Sequence, residues 1–376
     1  VLTALNFIIL IALGAVPAYA QNQGALFSNE NKYQLFSNQY NYQSDLLSDV
    51  DVGHIGAVWR ARIYGNATEL ETQSAQVGGI DMYMESKYRL LKNVEALVFL
   101  RAKFEAGRSQ DFFGDLDPNT GILMREGALN WQPIDILNLK AGVIYQDWMN
   151  MPLLTSRQSF PGASARIDWR WNDRFQSSFT SQFLVPTSQT LATRTVSREA
   201  TPTFTTHTLG SNWKNDSLNL VGNVSLYQYK NLPSYVAFQS QRYGNSLSQI
   251  NGPNNSSFAF PFQGWFAVLS GEYRVSQLFE PNISFSRIKN QKAPNSFADG
   301  QIIGVGSKLH FEKYTYYINY ENFFAESDVA PAYYNSWAYG NTNKKGFGID
   351  TWLELKEHNF RIRAQYYKAD VLNPDG

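Results

Sequence analysis

The sequence predicts an all-β chain: a transmembrane antiparallel up-and-down β-barrel of sixteen strands, with the last strand missing from this sequence. Three observations carry that expectation. Apolar and polar residues alternate with a period of two in segment after segment. The connections between those segments alternate between short and long. An export leader opens the chain, and no later stretch holds the ~18 apolar residues of a membrane helix, which leaves strands as the means of crossing.

The leader comes first. "LNFIILIALGAVPAYA" is an apolar run ending in Ala18-Tyr19-Ala20, a small-x-small cleavage signature, and the polar Gln21-Asn22-Gln23 follows. Its apolar core is short for a membrane anchor. Residues 1–20 are therefore assigned as a signal peptide removed after Ala20, although the charged start of such leaders is absent. Residues 21–53, rich in Asn and Gln, form a periplasmic N-terminal segment too small for a plug domain, and 54–376 form the barrel.

Fifteen alternating segments follow: 54–64, 79–90, 94–105, 122–131, 135–146, 162–171, 175–185, 203–213, 217–229, 263–274, 280–288, 301–311, 314–324, 345–355 and 360–369. Many have the ~9–11 residues that cross a bilayer at a tilt. The stretch "ASARIDWRWND" shows the pattern: Ala163, Ala165, Ile167, Trp169 and Trp171 fall on one face, Ser164, Arg166, Asp168 and Arg170 on the other. In a soluble sandwich the apolar face would pack on a second sheet. In an outer-membrane barrel it meets lipid, and the charged face lines a wet lumen.

The connections decide between these. Tight ones such as 91–93, 132–134 and 356–358 alternate with long ones near 65–78, 106–121, 147–161, 186–202, 230–262, 289–300 and 325–344. Short periplasmic turns and long extracellular loops produce that rhythm. Its phase makes the first strand run outward, and the fifteenth also, so one returning strand is needed for closure. The chain instead ends on the turn-like "LNPDG".

Aromatics make up 15% of the 376 residues. On the apolar faces Trp131, Trp171, Phe175, Trp213, Tyr273, Phe311, Tyr314 and Phe360 fall near the short-turn ends, as an interfacial girdle does. Aromatics also favour strands of any kind. Two strands fit poorly: Arg125 shares a face with Leu129 and Trp131, and His207 with Leu209, and a bulge or register error is expected at each.

A sixteen-strand barrel leaves an aqueous channel unless it is plugged. The alternation turns Arg60, Arg62, Lys87, Arg89, Arg101, Lys103, Arg361 and Arg363 inward, with Asp81, Glu85, Glu95 and Glu105 in the same sector and Arg166, Asp168 and Arg170 further round. A basic wall facing acidic groups orients solutes and sets ion preference. The plainer reading is wall pairing: Arg89 opposite Glu95 and Asp81 opposite Lys103, each worth roughly 0.2–1 kcal/mol. Arg60, Arg62, Arg361 and Arg363 have no evident partner and are expected to set selectivity.

The balance of 32 basic and 32 acidic residues gives no reason to expect nucleic acid, and the lack of cysteine excludes disulfides and thiolate metal sites. "DFFGDLDPNTG" spaces Asp115, Asp117 and Asn119 like a calcium loop but misplaces its glycine and reads as a turn. His54, His207, His310 and His358 are scattered without metal-ligand spacing, so neither a metal site, a cofactor nor an enzyme is expected.

The plan of signal peptide, sixteen-strand phase, girdles and inward basic ladder resembles the porin superfamily over residues 54–369, with no specific motif. The resemblance implies a water-filled outer-membrane channel for passive diffusion of ions and small hydrophilic solutes, in contact with lipid and lipopolysaccharide. It also implies a homotrimer, for which Ala163 and Ala165 allow close packing, and an inward fold of the loop 147–161. That loop offers only Asp147 as an acid, which departs from the acidic loop of general porins. The longest loop, 230–262, is the other candidate for an inward fold. Alternatives are a channel for hydrophobic or carbohydrate substrates, the former requiring an apolar lumen, and an adhesive or structural barrel acting through aromatic loops such as "APAYYNSWAYG".

Overall fold

The structure is a computed structural model, and it describes residues 2–5, 52–69, 74–110, 118–186, 199–358 and 360–373. In chain order the strands are β1 (Leu2–Leu5), β2 (Ile55–Glu69), β3 (Ser74–Leu91), β4 (Val94–Gln110), β5 (Gly121–Ile134), β6 (Leu137–Tyr145), β7 (Ser159–Arg170), β8 (Phe175–Leu184) and β9 (Thr203–Lys214). They continue with β10 (Leu218–Lys230), a helix α1 (Ser234–Arg242), a small hairpin β11 (Leu247–Gln249) and β12 (Ser257–Phe258), then β13 (Gln263–Tyr273), β14 (Phe279–Asn290), β15 (Asp299–His310), β16 (Tyr314–Ala325), β17 (Lys344–Leu355) and β18 (Phe360–Val371). Apart from β1 and the hairpin these are fifteen long strands, one at each expected position, paired antiparallel to their sequence neighbours.

The ring is completed by β1, which pairs with both β18 and β2. It runs antiparallel to each, as a returning strand must, but it is short. It meets only Tyr367–Ala369 on one side and Ala67–Glu69 on the other, at the long-loop end. Below it, 360–366 and 55–66 have no partner on that edge among the described residues. Leu2–Leu5 lies within the leader assigned from sequence, whose removal remains an expectation.

Alternation sorts the side chains. Along β14 burial switches residue by residue, so that Glu280, Asn282, Ser284, Ser286 and Ile288 are buried inside while Ile283 is exposed outside. Leu226, Leu269 and Val305 on neighbouring strands are likewise more than half exposed. An apolar band of that extent belongs against lipid. Trp169 in β7 and Trp171 just past its end are exposed on the outer side, and Ser164 and Arg166 stand opposite the buried Gln182 and Thr180 of β8.

The two poorly fitting strands resolve differently. Phe99 pairs with Glu126 and Leu100 with Met124, so Arg125 is the extra residue of the expected bulge. Its guanidinium lies over the Tyr145 ring at 6.0 Å and donates to the carbonyl of Arg157. His207 has no bulge: β9 pairs in unbroken register with β8 and β10. The imidazole stays on the outer face, where it stacks on Phe179 and lies 3.0 Å from Ser181 Oγ. Local partners, rather than a register change, accommodate it.

The apolar core sits inside the outer mouth. The loops 146–158, 231–262 and 326–343 all turn inward and pack on Ile144, Phe160, Leu184, Phe204, Phe266, Ile288, Ile302 and Phe323 at the loop ends of the strands. Tyr334 is the centre, edge-on to Phe160 at 5.3 Å and stacked on Tyr229 at 5.9 Å. Asn245 ties two of the loops together: its Oδ1 accepts from the Ala332 amide at 2.7 Å, and its Nδ2 donates to the carbonyl oxygens of Ser327 and Ala330.

Candidate functional site

The inner wall begins with the sector expected from sequence. On β2 to β4, Asp81 is fully buried and takes Arg62, both Nε (3.0 Å) and Nη2 (2.9 Å) of Arg101, and the Tyr83 hydroxyl at 2.9 Å. Arg60 reaches Glu85 at 3.3 Å, while Lys87 and Arg89 share Glu95 at 2.7 and 3.3 Å. Asp81 and Lys103 are cross-strand partners as expected, but the ammonium of Lys103 turns to Glu105 at 2.6 Å because two guanidinium groups already fill the Asp81 carboxylate.

The expectation of four unpartnered arginines is corrected. Arg60 and Arg62 have the carboxylates just named, Arg361 meets Glu354 at 2.7 Å, and Arg363 grips Asp350 at 2.8 and 2.6 Å. The register of β17 supplies both acids: Glu354 stands directly opposite Arg361, and Asp350 lies diagonal to Arg363. Arg166, Asp168 and Arg170 form a different patch. Arg166 and Asp168 pair at 2.8 Å with side chains 51% and 47% exposed, and Arg170, 67% exposed, meets Asp173 at 3.0 Å.

A second polar wall was missed from sequence. Over β13 to β18, Glu272, Glu280, Asn282, Asn319, Glu321 and Asp350 all point inward and are buried. Lys308 bridges Glu272 at 2.6 Å and Glu280 at 3.3 Å, and Glu321 accepts from Asn319 Nδ2 at 3.0 Å and from the Tyr339 hydroxyl at 2.8 Å. The "EPNISFS" alternation was the available signal. A small open cleft lies at the turn end of this wall, lined by Lys214, Asp216, Asn219, Glu272, Arg274 and Glu280 among others.

Of the girdle aromatics, Trp131, Trp171, Tyr273, Phe311 and Tyr314 are exposed outward, and Phe175, Trp213 and Phe360 are half-buried. Phe311 and Tyr314 stack at 4.5 Å across their turn, and Trp171 Nε1 donates to Ser177 Oγ at 2.7 Å.

Within the loops, burial pushes the Asp147 carboxyl up, against the bond it accepts from the Tyr145 hydroxyl and the one from the Arg157 amide. Burial likewise raises Asp328, opposing the bonds it takes from Ser246 N at 3.0 Å and Ser327 Oγ at 2.8 Å. Asp115 and Asp117 lie outside the described residues, whereas the amide of Asn119 donates to Glu105 Oε2 at 2.9 Å. Ser181 and His207 form a hydrogen-bonded pair, but no carboxylate contacts the imidazole among the described residues. The amides of β8 and β9 are taken up by the sheet, so no oxyanion hole forms there.

An apolar outside, a charged inside and long loops folded into one mouth define a porin-like β-barrel. No family model and no curated protein matches the chain. Solved structures do. OprB of Pseudomonas putida is 10% identical with a TM-score of 0.49, over 88% of this chain and 96% of that one. A loop-deletion mutant of OmpT, an outer membrane protein of Vibrio cholerae, is 11% identical with a TM-score of 0.46, over 85% and 100%. A mutant Rh. blastica porin is 8% identical with a TM-score of 0.41, over 84% and 100%.

Proposed function

We propose that the chain is an outer-membrane channel for passive diffusion of ions and small hydrophilic solutes. The observation that carries this reading is the pairing of an exposed apolar outer band with an inner wall of ionised and amide side chains. Lipid covers the first, and only an aqueous or hydroxyl-bearing content suits the second. The packed loops make the outer mouth narrow, so this is a restricted passage. In this reading residues 1–20 are the export leader, whose removal also takes β1 out of the ring, 21–53 lie on the periplasmic side, and the girdle aromatics seat the barrel against lipid and lipopolysaccharide. A homotrimer in this reading packs through the outer face of β7 at the small residues Ala163 and Ala165.

The test is single-channel recording of refolded protein in a planar bilayer under a salt gradient. Stable steps of modest conductance are expected. Because Arg361 compensates Glu354, Arg361→Ala leaves that carboxylate unopposed and shifts ion preference toward cations. A correctly folded barrel that never conducts overturns the reading.

A further inference from the structure

We infer that the inner wall of β13 to β18 carries a binding stripe for neutral hydroxyl-rich solutes, which rests on the channel reading and names its substrate class. The residues Glu272, Asn282, Gly306, Asn319, Asp350 and Gln365 are consecutive cross-strand partners and so form one band around the wall. Each side chain in it is more than nine-tenths buried.

Several polar atoms of this band have no hydrogen-bond partner. They are Glu272 Oε2, both Oδ1 and Nδ2 of Asn282, Asn319 Oδ1 and Gln365 Nε2, with Ser284 Oγ one row further out. Gly306 makes room for two of them. A Cβ there would meet Asn319 Oδ1 at 2.7 Å and Asn282 Oδ1 at 2.9 Å, so the two amide oxygens converge over a bare stretch of backbone. The Asn319 amide is held in that orientation because its Nδ2 donates to Glu321. Buried polar groups are ordinarily satisfied, and a run of unsatisfied ones on one wall marks a place where something else completes them.

The mixture decides what that is. A bare cation needs acceptors alone, but Asn282 Nδ2 and Gln365 Nε2 are donors, and the Lys308 ammonium and Arg363 guanidinium lie in the same region. No cluster of three metal-ligating side chains occurs among the described residues. An anion is opposed by Glu272, Glu321 and Asp350. A hydroxyl group both donates and accepts, which matches donors and acceptors side by side. Stacking adds little here, since Trp352 is covered by Tyr317 at 5.1 Å and by Arg361 at 4.4 Å. Recognition therefore rests on hydrogen bonds. The heads are covered in the structure, so a solute reaches them by displacing neighbouring side chains.

Asn282→Ala is the discriminating variant, because Asn282 makes no hydrogen bond that the change would remove. Channel current is titrated with glucose and, as a hydroxyl-free neutral osmolyte, with betaine. Glucose should reduce the current saturably, betaine only in proportion to viscosity, and Asn282→Ala should raise the glucose half-saturation about tenfold. A glucose effect as linear as that of betaine means that the stripe holds water alone and overturns the inference, as does an unchanged half-saturation in the variant. If the folded barrel does not conduct, the channel reading fails by itself. The stripe is then read from the urea midpoint, which glucose should raise further in the native chain than in Asn282→Ala; equal rises overturn it.

Discussion

Replacing Asp81 by Ala separates a buried charge network from surface pairing in one experiment. The Asp81 side chain is 0% exposed, and those of Arg62 and Arg101 are 6% and 9%. Removing the carboxylate leaves two guanidinium groups beside each other with their shared counter-charge gone, a loss of ~3–5 kcal/mol for a buried pair. Roughly two to four powers of ten in the folding equilibrium follow from that range. Asp168→Ala is the matched control, since the Arg166–Asp168 pair is about half exposed. Water and salt already screen it, and its loss costs ~0–1 kcal/mol. Both variants are refolded in detergent or lipid and titrated with denaturant, following tryptophan fluorescence. Double-mutant cycles should give a coupling of ~0.5–3 kcal/mol for Asp81 with Arg101→Ala and ~0–1 kcal/mol for Asp168 with Arg166→Ala. If Asp81→Ala falls within about 1 kcal/mol of Asp168→Ala, the network contributes no more than a surface pair and the reasoning fails.

Tyr334→Ala empties the centre of the loop core between Phe160 and Tyr229, and a loss of ~3–5 kcal/mol together with larger unitary conductance is expected. Unchanged conductance would mean that the loops do not narrow the passage. Asp328 keeps its proton to higher pH folded than unfolded because burial opposes its charge. Its contribution is therefore complete below the ordinary carboxylate range and is lost as pH rises through the raised value. The melting temperature should fall as pH rises above the ordinary carboxylate range, more steeply than in Asp328→Asn, and equal slopes refute the assignment. His207→Leu should leave stability unchanged or raise it by about 1 kcal/mol, because lipid offers the outward imidazole nothing beyond Ser181. A loss of similar size would reveal a contact that the imidazole makes outside the described residues.

The barrel was legible because alternation and loop rhythm survive without knowledge of any contact. Where alternation lapses the reading stopped early. Residues 65–78 were expected as a loop, yet β2 and β3 pair on through Gly65–Gly78 to Glu69–Ser74. That pairing belongs to the backbone, which glycines leave unmarked in the side-chain pattern. Arg125 announced its bulge by standing on the wrong face, whereas His207 gave the same signal and meant only an outward polar residue. The loop core was visible as apolar letters in "MPLLT" and "APAYY", but their destination depends on contacts such as Phe160 with Tyr334 across the barrel. Nothing local encodes those.

The pairing of the arginine ladder changes where selection should reside. A row of unopposed guanidinium groups would set a strong field across the lumen, and the sequence alone suggested one. Here every one of the four arginines singled out for selectivity faces a carboxylate within 3.3 Å, and the buried wall opposite balances Lys308 against Glu272 and Glu280 in the same way. Compensated charges hold strands in register and add little net field at the distance of a passing ion. Arg166 and Arg170, open to solvent at the turn end, are compensated too, by Asp168 at 2.8 Å and Asp173 at 3.0 Å. The neutral heads of Asn282 and Asn319 act on solutes that carry no charge at all. A channel built this way has weak ion preference and a stronger preference among uncharged solutes, and ion-selectivity and solute-block measurements on one preparation distinguish it from a charge-selective pore.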